Sequence, residues 1–310
     1  MSVTVLFDAA PANWPRYEGP LAQALQTAGV DATLTTGAPP EQVDFIVYSP
    51  GGAITDFTPY TRARAVLSLW AGVERIITNP TLTQPLARMV DPGMTEGMTE
   101  WIVAHTMRHH IGMDAHLEAA PGTWQQITPP LARNRRIGLL GLGTLGSAAA
   151  LALAGLNFNV SGWSRRPRQI DGITCHSGQD GLRDVMVGSE ILILLLPQTA
   201  GTEGLLNAET LSLMPRGASI LNPGRGPLID DDALLAALDT GQISRATLDV
   251  FRIEPLPRDH PFWAHPRVTV TPHIASETRP ETAVTIIAEN IRRSEAGEPL
   301  LHLVDRRAGY

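Results

Sequence analysis

Cysteine is almost missing from this chain: its 310 residues hold one, Cys175. No internal disulfide can form, and a reducing, cytoplasmic setting is expected. Basic residues are outnumbered 24 to 31, for a formal charge of -7. That balance removes any general attraction to phosphate backbones or anionic lipid and argues against a nucleic-acid partner. Long apolar runs are absent as well. The most apolar window, Ile191 to Leu196, stops at Pro197, far short of the roughly 20 residues that span a bilayer, so no membrane segment is expected. Met1 to Leu6 lacks the basic start and apolar stretch of a secretory signal. Although there are 28 Gly and 25 Pro, no Gly/Ser or Pro tract occurs, and 43% of residues are hydrophobic. Disorder and collagen-like structure are excluded.

What is present is alternation. The length exceeds what one core usually organises, which favours two domains. Apolar strands are expected at Val3–Phe7, Ala32–Thr35, Phe45–Val47 and Ala65–Leu69, with a helix around Leu21–Ala28 closed by Gly29 and another at Val73–Ile77. Met94–His116 reads as one long helix, acidic early and basic late, whose expected role is a strut or a dimer face. The proline-rich loop Pro121–Arg135 follows, and a second βα series opens near Arg136. Its strands are expected at Ile137–Leu140, Val160–Trp163, Ile191–Leu195, Ala218–Asn222, Ala246–Val250 and Val268–Val270. Apolar strands separated by helices predict parallel sheets covered on both faces. A helical tail, Glu277–Leu300, can return to the first lobe.

The strand Arg136–Leu140 runs straight into Gly141-Leu142-Gly143-Thr144-Leu145-Gly146 and then an Ala-rich helix. This is the order a pyrophosphate site requires: a tight turn, close backbone approach, and helix N–H groups aimed at the anion. The acid that usually grips the adenosine ribose about 20 residues on is replaced by Trp163-Ser164-Arg165-Arg166. A hydroxyl and two guanidinium groups suit a 2′-phosphate that a carboxylate would repel, which points to NADPH, with NADH weaker.

Three later residues each follow a predicted parallel strand: Arg225 in Asn222-Pro223-Gly224-Arg225, Glu254 in Asp249-Val250-Phe251-Arg252-Ile253-Glu254, and His273 in Thr271-Pro272-His273. Ligands of open α/β sheets lie outside the strands' C-terminal ends, so the fold should converge these three on one crevice. Reduction of a carbonyl by a nicotinamide needs an acid for the oxygen and a cation for a carboxylated substrate. His273 is the expected acid, Glu254 the partner of its other ring nitrogen, and Arg225 the carboxylate fork. His109, His110, His116, His260 and His265 lack ligand spacing, and no metal site is expected.

On these residues, together with Leu69-Trp70-Ala71-Gly72-Val73, the Met94–Trp101 helix start, Leu195-Leu196-Pro197 with Thr202, Glu254-Pro255-Leu256-Pro257 and the ending Val304-Asp305-Arg306-Arg307-Ala308-Gly309-Tyr310, the chain resembles the NAD(P)-dependent D-2-hydroxyacid dehydrogenases, in their glyoxylate/hydroxypyruvate reductase A branch. The resemblance implies two Rossmann-like α/β domains with parallel sheets, a nucleotide-binding domain (101–278) inserted into a discontinuous substrate domain (1–100 and 279–310), and a homodimer. It implies substrate contacts from the backbone of Trp70, Ala71 and Gly72 and from Arg225. Cofactor contacts are implied for Gly141, Gly143, Thr144, Leu145, Gly146, Ser164, Arg165, Arg166, Leu196, Pro197, Thr202, Pro223, Gly224 and His273, with Asp249 meeting the nicotinamide carboxamide. The expected reaction is NADPH-dependent reduction of a small 2-oxo acid. The alternatives are another 2-hydroxyacid or phosphite dehydrogenase of the same family, or a non-catalytic NAD(P)-sensing module.

Overall fold

A computed structural model describes residues 2–307; of the C-terminal motif, Ala308, Gly309 and Tyr310 lie outside the described residues. The elements run β1 (Val3–Asp8), α1 (Trp14–Thr27), β2 (Ala32–Thr35), β3 (Phe45–Tyr48), β4 (Ala65–Ser68), β5 (Leu86–Ala87), α2 (Pro92–His110) and α3 (Met113–Leu117). They continue with β6 (Arg136–Leu140), α4 (Thr144–Gly155), β7 (Asn159–Trp163), β8 (Thr174–His176), α5 (Gly178–Gly188), β9 (Ile191–Leu194), α6 (Ala208–Leu213), β10 (Ala218–Asn222), α7 (Asp231–Asp239), β11 (Ile243–Leu248), β12 (Val268–Val270) and α8 (Pro280–Glu295).

The chain forms two compact units, one running up to Met94 and resuming at Thr278, the other Thr95–Glu277. In the discontinuous unit five parallel strands lie in the order β2-β1-β3-β4-β5. Alternating strand residues feed two cores. Val5, Phe7, Phe45, Val47 and Leu67 pack with Leu21 and Leu25 of α1 and Ile287 and Ile291 of α8, while Leu6, Ile46 and Val66 face Phe57, Ile76 and Leu82. The helix α1 begins earlier than its predicted core, because Tyr17, Leu21 and Leu25 repeat at helical spacing on a buried face, and that burial carries the helix through Pro20.

The continuous unit holds seven parallel strands in the order β12-β11-β10-β9-β6-β7-β8. Leu140, Leu192, Leu194, Ile220 and Leu248 meet α5, α6 and α7 on one face. Ile137, Leu139, Ile191, Ile193 and Leu221 meet α2 and α4 on the other. Two expectations fail. Val73–Ile77 is a run of turns with one helical hydrogen bond, from Ile77 N to Val73 O at 2.9 Å; three β-branched residues and Pro80 give it little helical support. The predicted long helix breaks at Gly112, whose φ of +66° is left-handed, so α2 and α3 are separate. The short strand β8, with Cys175 at its centre, has no apolar run to announce it.

Candidate active site

In the continuous unit, Gly141–Gly146 joins β6 to α4. Gly141 N donates to Trp163 O at 2.9 Å, which ties the loop to the end of β7. At Gly146 a Cβ would lie 1.8 Å from the Gly141 carbonyl oxygen, so only glycine lets helix and loop meet this closely. Gly143 caps the 12-residue α4 without a side-chain hydrogen bond, and a Cβ built there meets nothing within 4 Å. Exposed Gly143 and Thr144, with Leu145 half-buried behind them, therefore leave an open cradle beneath helix N–H groups, a fit for a pyrophosphate. At the end of β7, Ser164 Oγ donates to the Arg166 carbonyl at 2.7 Å, and Arg165 and Arg166 are exposed.

The strand ends beside this loop carry the other expected residues. Leu196 is buried after β9, and Thr202 Oγ1 donates to Pro197 O at 2.7 Å, closing the loop between them. Pro223 and Gly224 are buried after β10. Asn222, whose part sequence reasoning missed, braces that turn: its Nδ2 donates to Arg225 O at 2.9 Å and its Oδ1 accepts from Gly224 N at 3.2 Å. A Cβ at Gly226 would lie 2.0 Å from the Phe251 carbonyl carbon, so the loops after β10 and β11 touch through backbone.

That contact sets Arg225 beside the Phe251–Glu254 turn. Glu254 Oε1 accepts from Phe251 N at 2.8 Å, and Glu254 Oε2 lies 2.7 Å from His273 Nδ1. Burial pushes the Glu254 carboxyl up, but the hydrogen bonds from His273 and the Phe251 amide, with the charges of His273 and Arg225, outweigh it and hold it below the usual carboxylate range. His273 is half exposed, with its other ring nitrogen turned away from the carboxylate. Glu254 and His273 thus meet at the C-terminal edge of the sheet, with Arg225, whose Nη1 donates to Gly224 O at 2.6 Å, near enough for its charge to act on Glu254. Asp249 is 1% exposed, and its carboxylate accepts from Thr271 Oγ1 at 2.5 Å, Ile274 N at 3.0 Å and Ala275 N at 2.9 Å. Only tertiary contacts reveal this bracing of the His273 turn.

In the discontinuous unit, register aligns Asp8, Tyr48 and Ser68 across the C-terminal ends of β1, β3 and β4. Ser68 shapes the following loop, its Oγ accepting from Trp70 N at 3.0 Å. One of the three amides expected to face a carboxylate is therefore already engaged. Those of Ala71 and Gly72 have no hydrogen-bond partner among the described residues. Trp70 itself is 45% exposed, so it is not a core side chain.

Of the other histidines, His109 sits in a structural setting. Burial, against the pull of Asp114, takes His109 down to about 4, and its Nε2 lies 3.0 Å from Thr247 Oγ1. Among the described residues no group of three His, Cys, Asp or Glu side chains is placed to hold a metal, and no helix is long and apolar enough to cross a membrane.

Residues 101–275 match the family described as D-isomer specific 2-hydroxyacid dehydrogenase, NAD binding domain. The chain belongs to that family. A glyoxylate/hydroxypyruvate reductase A of Yersinia enterocolitica is 43% identical over 255 residues, 80% of this chain and 82% of that protein. Among solved structures, a D-isomer specific 2-hydroxyacid dehydrogenase from Xanthobacter autotrophicus in complex with NADPH and MES is similar over 100% of both chains, at 40% identity and a TM-score of 0.91. An NADPH-dependent glyoxylate/hydroxypyruvate reductase from Sinorhizobium meliloti, in complex with NADP and sulfate, is similar over 100% of both chains at 32% identity and a TM-score of 0.88.

The overlap at Gly146 makes a direct test. In Gly146→Ala the loop must move off the helix, and affinity for a nicotinamide dinucleotide, measured by calorimetry, should fall about tenfold or more as hydrogen bonds to charged phosphate oxygens are lost. Unchanged affinity would remove the loop from the phosphate-binding role.

Proposed function

We propose that this protein is an NADPH-preferring reductase of small 2-oxo acids, taking glyoxylate to glycolate and hydroxypyruvate to glycerate. The observation that carries the reading is the 2.7 Å contact between His273 Nδ1 and Glu254 Oε2, beside Arg225 at the sheet edge that also bears the glycine loop. The relatives' glyoxylate and hydroxypyruvate reductase activity and bound NADPH or NADP support the substrate class and cofactor.

Gly141 to Gly146 hold the pyrophosphate, and Arg165 and Arg166 the 2′-phosphate, on a turn shaped by the Ser164 hydroxyl; Leu196, Pro197, Thr202, Pro223 and Gly224 surround the nicotinamide end, while the buried Asp249 carboxylate serves the His273 turn. NADPH supplies the hydride that C2 of the oxo acid accepts. His273 gives the proton from Nε2 to the carbonyl oxygen, while Glu254 on Nδ1 fixes the orientation of the ring. Arg225 forks onto the substrate carboxylate and polarises the carbonyl. The amides of Ala71 and Gly72 are further carboxylate donors, and the Trp70 amide serves the loop through Ser68.

A homodimer fits the stretch 117–131, which has neither helix nor strand after α3, yet leaves Leu117, Trp124, Ile127 and Leu131 exposed, Trp124 by 94%. A second copy is the cover that such an apolar segment calls for. A cytoplasmic setting accords with one free cysteine and no membrane-spanning helix among the described residues.

Steady-state absorbance at the nicotinamide band, with glyoxylate, hydroxypyruvate and pyruvate offered in turn, should show fast NADPH oxidation with either of the first two. His273→Gln should lower turnover about 10²–10⁴-fold with NADPH affinity retained. Binding of NADPH without turnover of any oxo acid would favour a sensing module instead. Glu254→Gln, which keeps the side chain's shape but loses the charge facing Nδ1, should lower kcat about tenfold or more, and wild-type kcat would separate Glu254 from the proton donor. Arg165→Ala should weaken NADPH about tenfold or more and NADH little, since a charge-assisted contact is worth about 1.5–3 kcal/mol; equal losses would count against a 2′-phosphate contact. Sedimentation should give a dimer that Trp124→Glu shifts toward monomer, and a wild-type monomer would sink the dimer.

A further inference from the structure

His273 has a φ of +55°, a left-handed conformation that a residue with a Cβ keeps only when its surroundings impose it. Those surroundings converge on Asp249. His273 N donates to the Asp249 carbonyl at 2.8 Å and to Thr271 O at 3.0 Å, while Ile274 N and Ala275 N reach the two carboxylate oxygens. The one side-chain hydroxyl among these donors is Thr271, at 2.5 Å from Oδ1. Behind it stands the indole of Trp101, whose Nε1 lies 3.3 Å from Thr271 Oγ1.

Chemistry fixes the direction of this chain. An indole N–H only donates and a carboxylate only accepts, so Thr271 must accept from Trp101 and give its single proton to Asp249. The anchor is buried: Trp101 is 8% exposed, meets His105 with ring centroids 4.4 Å apart and planes tilted by 51°, and packs with Met98 and Ile102 of α2 into the core beneath β6 and β9.

We infer that Trp101 and Thr271 are positioning residues for the proton-donating histidine, holding through Asp249 the turn from which His273 reaches Glu254 and the substrate. The inference rests on the assignment of His273 as the acid. It gives α2, whose sequence reads as a strut, a part in setting the catalytic turn. The reacting atoms touch neither residue. Their effect is on how often the imidazole stands correctly, so it should appear in the chemical step and leave cofactor binding alone.

The test compares Thr271→Val, which keeps shape and removes the hydroxyl, with Thr271→Ser, which keeps the hydroxyl, in the full chain with glyoxylate and NADPH. Thr271→Val should lose about tenfold in kcat with KM for glyoxylate and NADPH affinity changed by less than about twofold, and the primary isotope effect from 4-deuterated NADPH should rise. Thr271→Ser should restore kcat to within about threefold of wild type, and Trp101→Phe should fall about threefold. If Thr271→Val does not fold, Trp101→Phe decides: reduced kcat at unchanged NADPH affinity supports the inference, and wild-type kcat overturns it. Wild-type kcat in Thr271→Val, or a loss in Thr271→Ser as large as in Thr271→Val, also overturns it. The His273→Gln variant separates the two readings. If it collapses turnover while Thr271→Val does not, positioning fails and the acid assignment stands; if it leaves turnover intact, both fall.

Discussion

The Asp249 carboxylate lies at the end of β11 with 1% of its surface exposed, where a charge has no water to stabilise it. A buried group left without partners costs about 1–3 kcal/mol, and more when charged. The turn after β12 meets that demand by folding so that two amides and a hydroxyl point at the carboxylate, and the same fold forces His273 into the left-handed region. The orientation of the imidazole is thus a consequence of satisfying a buried carboxylate 24 positions earlier in the chain. Glu254 meets His273 from the other side, held by the Phe251 amide.

A second constraint is the parallel sheet. Every strand of the continuous unit ends at the same edge, so residues at the ends of β6, β7, β9, β10 and β11 are neighbours whatever their sequence separation. Close backbone approach there is licensed by glycine: Gly146 against the Gly141 carbonyl and Gly226 against Phe251. The first leaves helix amides open to an anion, and the second sets Arg225 close enough for its charge to act on Glu254. The glycine loop and the Arg225, Glu254 and His273 side chains therefore share one edge because the strands share one direction.

Much of this was legible in the sequence because it depends on local demands. The strands Ala32–Thr35, Ala218–Asn222 and Val268–Val270 match their expected bounds, since short apolar runs between turn residues have few other uses. The glycine loop was equally plain, as its order of strand, turn and helix encodes its geometry. Less local features escaped. Val73–Ile77 has the apolar spacing of a helix turn but neither the length nor the residues to hold one, and Gly112 breaks a periodicity that otherwise runs from Met94 to His116. In the site, Arg225, Glu254 and His273 could be named as strand-end residues, whereas Asn222, Thr271 and Ser68 could not. Their work is hydrogen bonding to a neighbour's backbone or carboxylate, which no spacing announces.

The sequence by itself determined the α/β class and singled out the glycine loop, His273, Glu254 and Arg225 as strand-end groups, because each follows from residue chemistry at a strand end. Only the tertiary structure decided how those groups are held. It engaged the Trp70 amide with Ser68, turned the Ser164 hydroxyl onto the Arg166 carbonyl, and tied a tryptophan of α2 to the turn of His273. Such assignments depend on which buried polar atom finds which partner, and that is settled only when the strands and helices have been packed together.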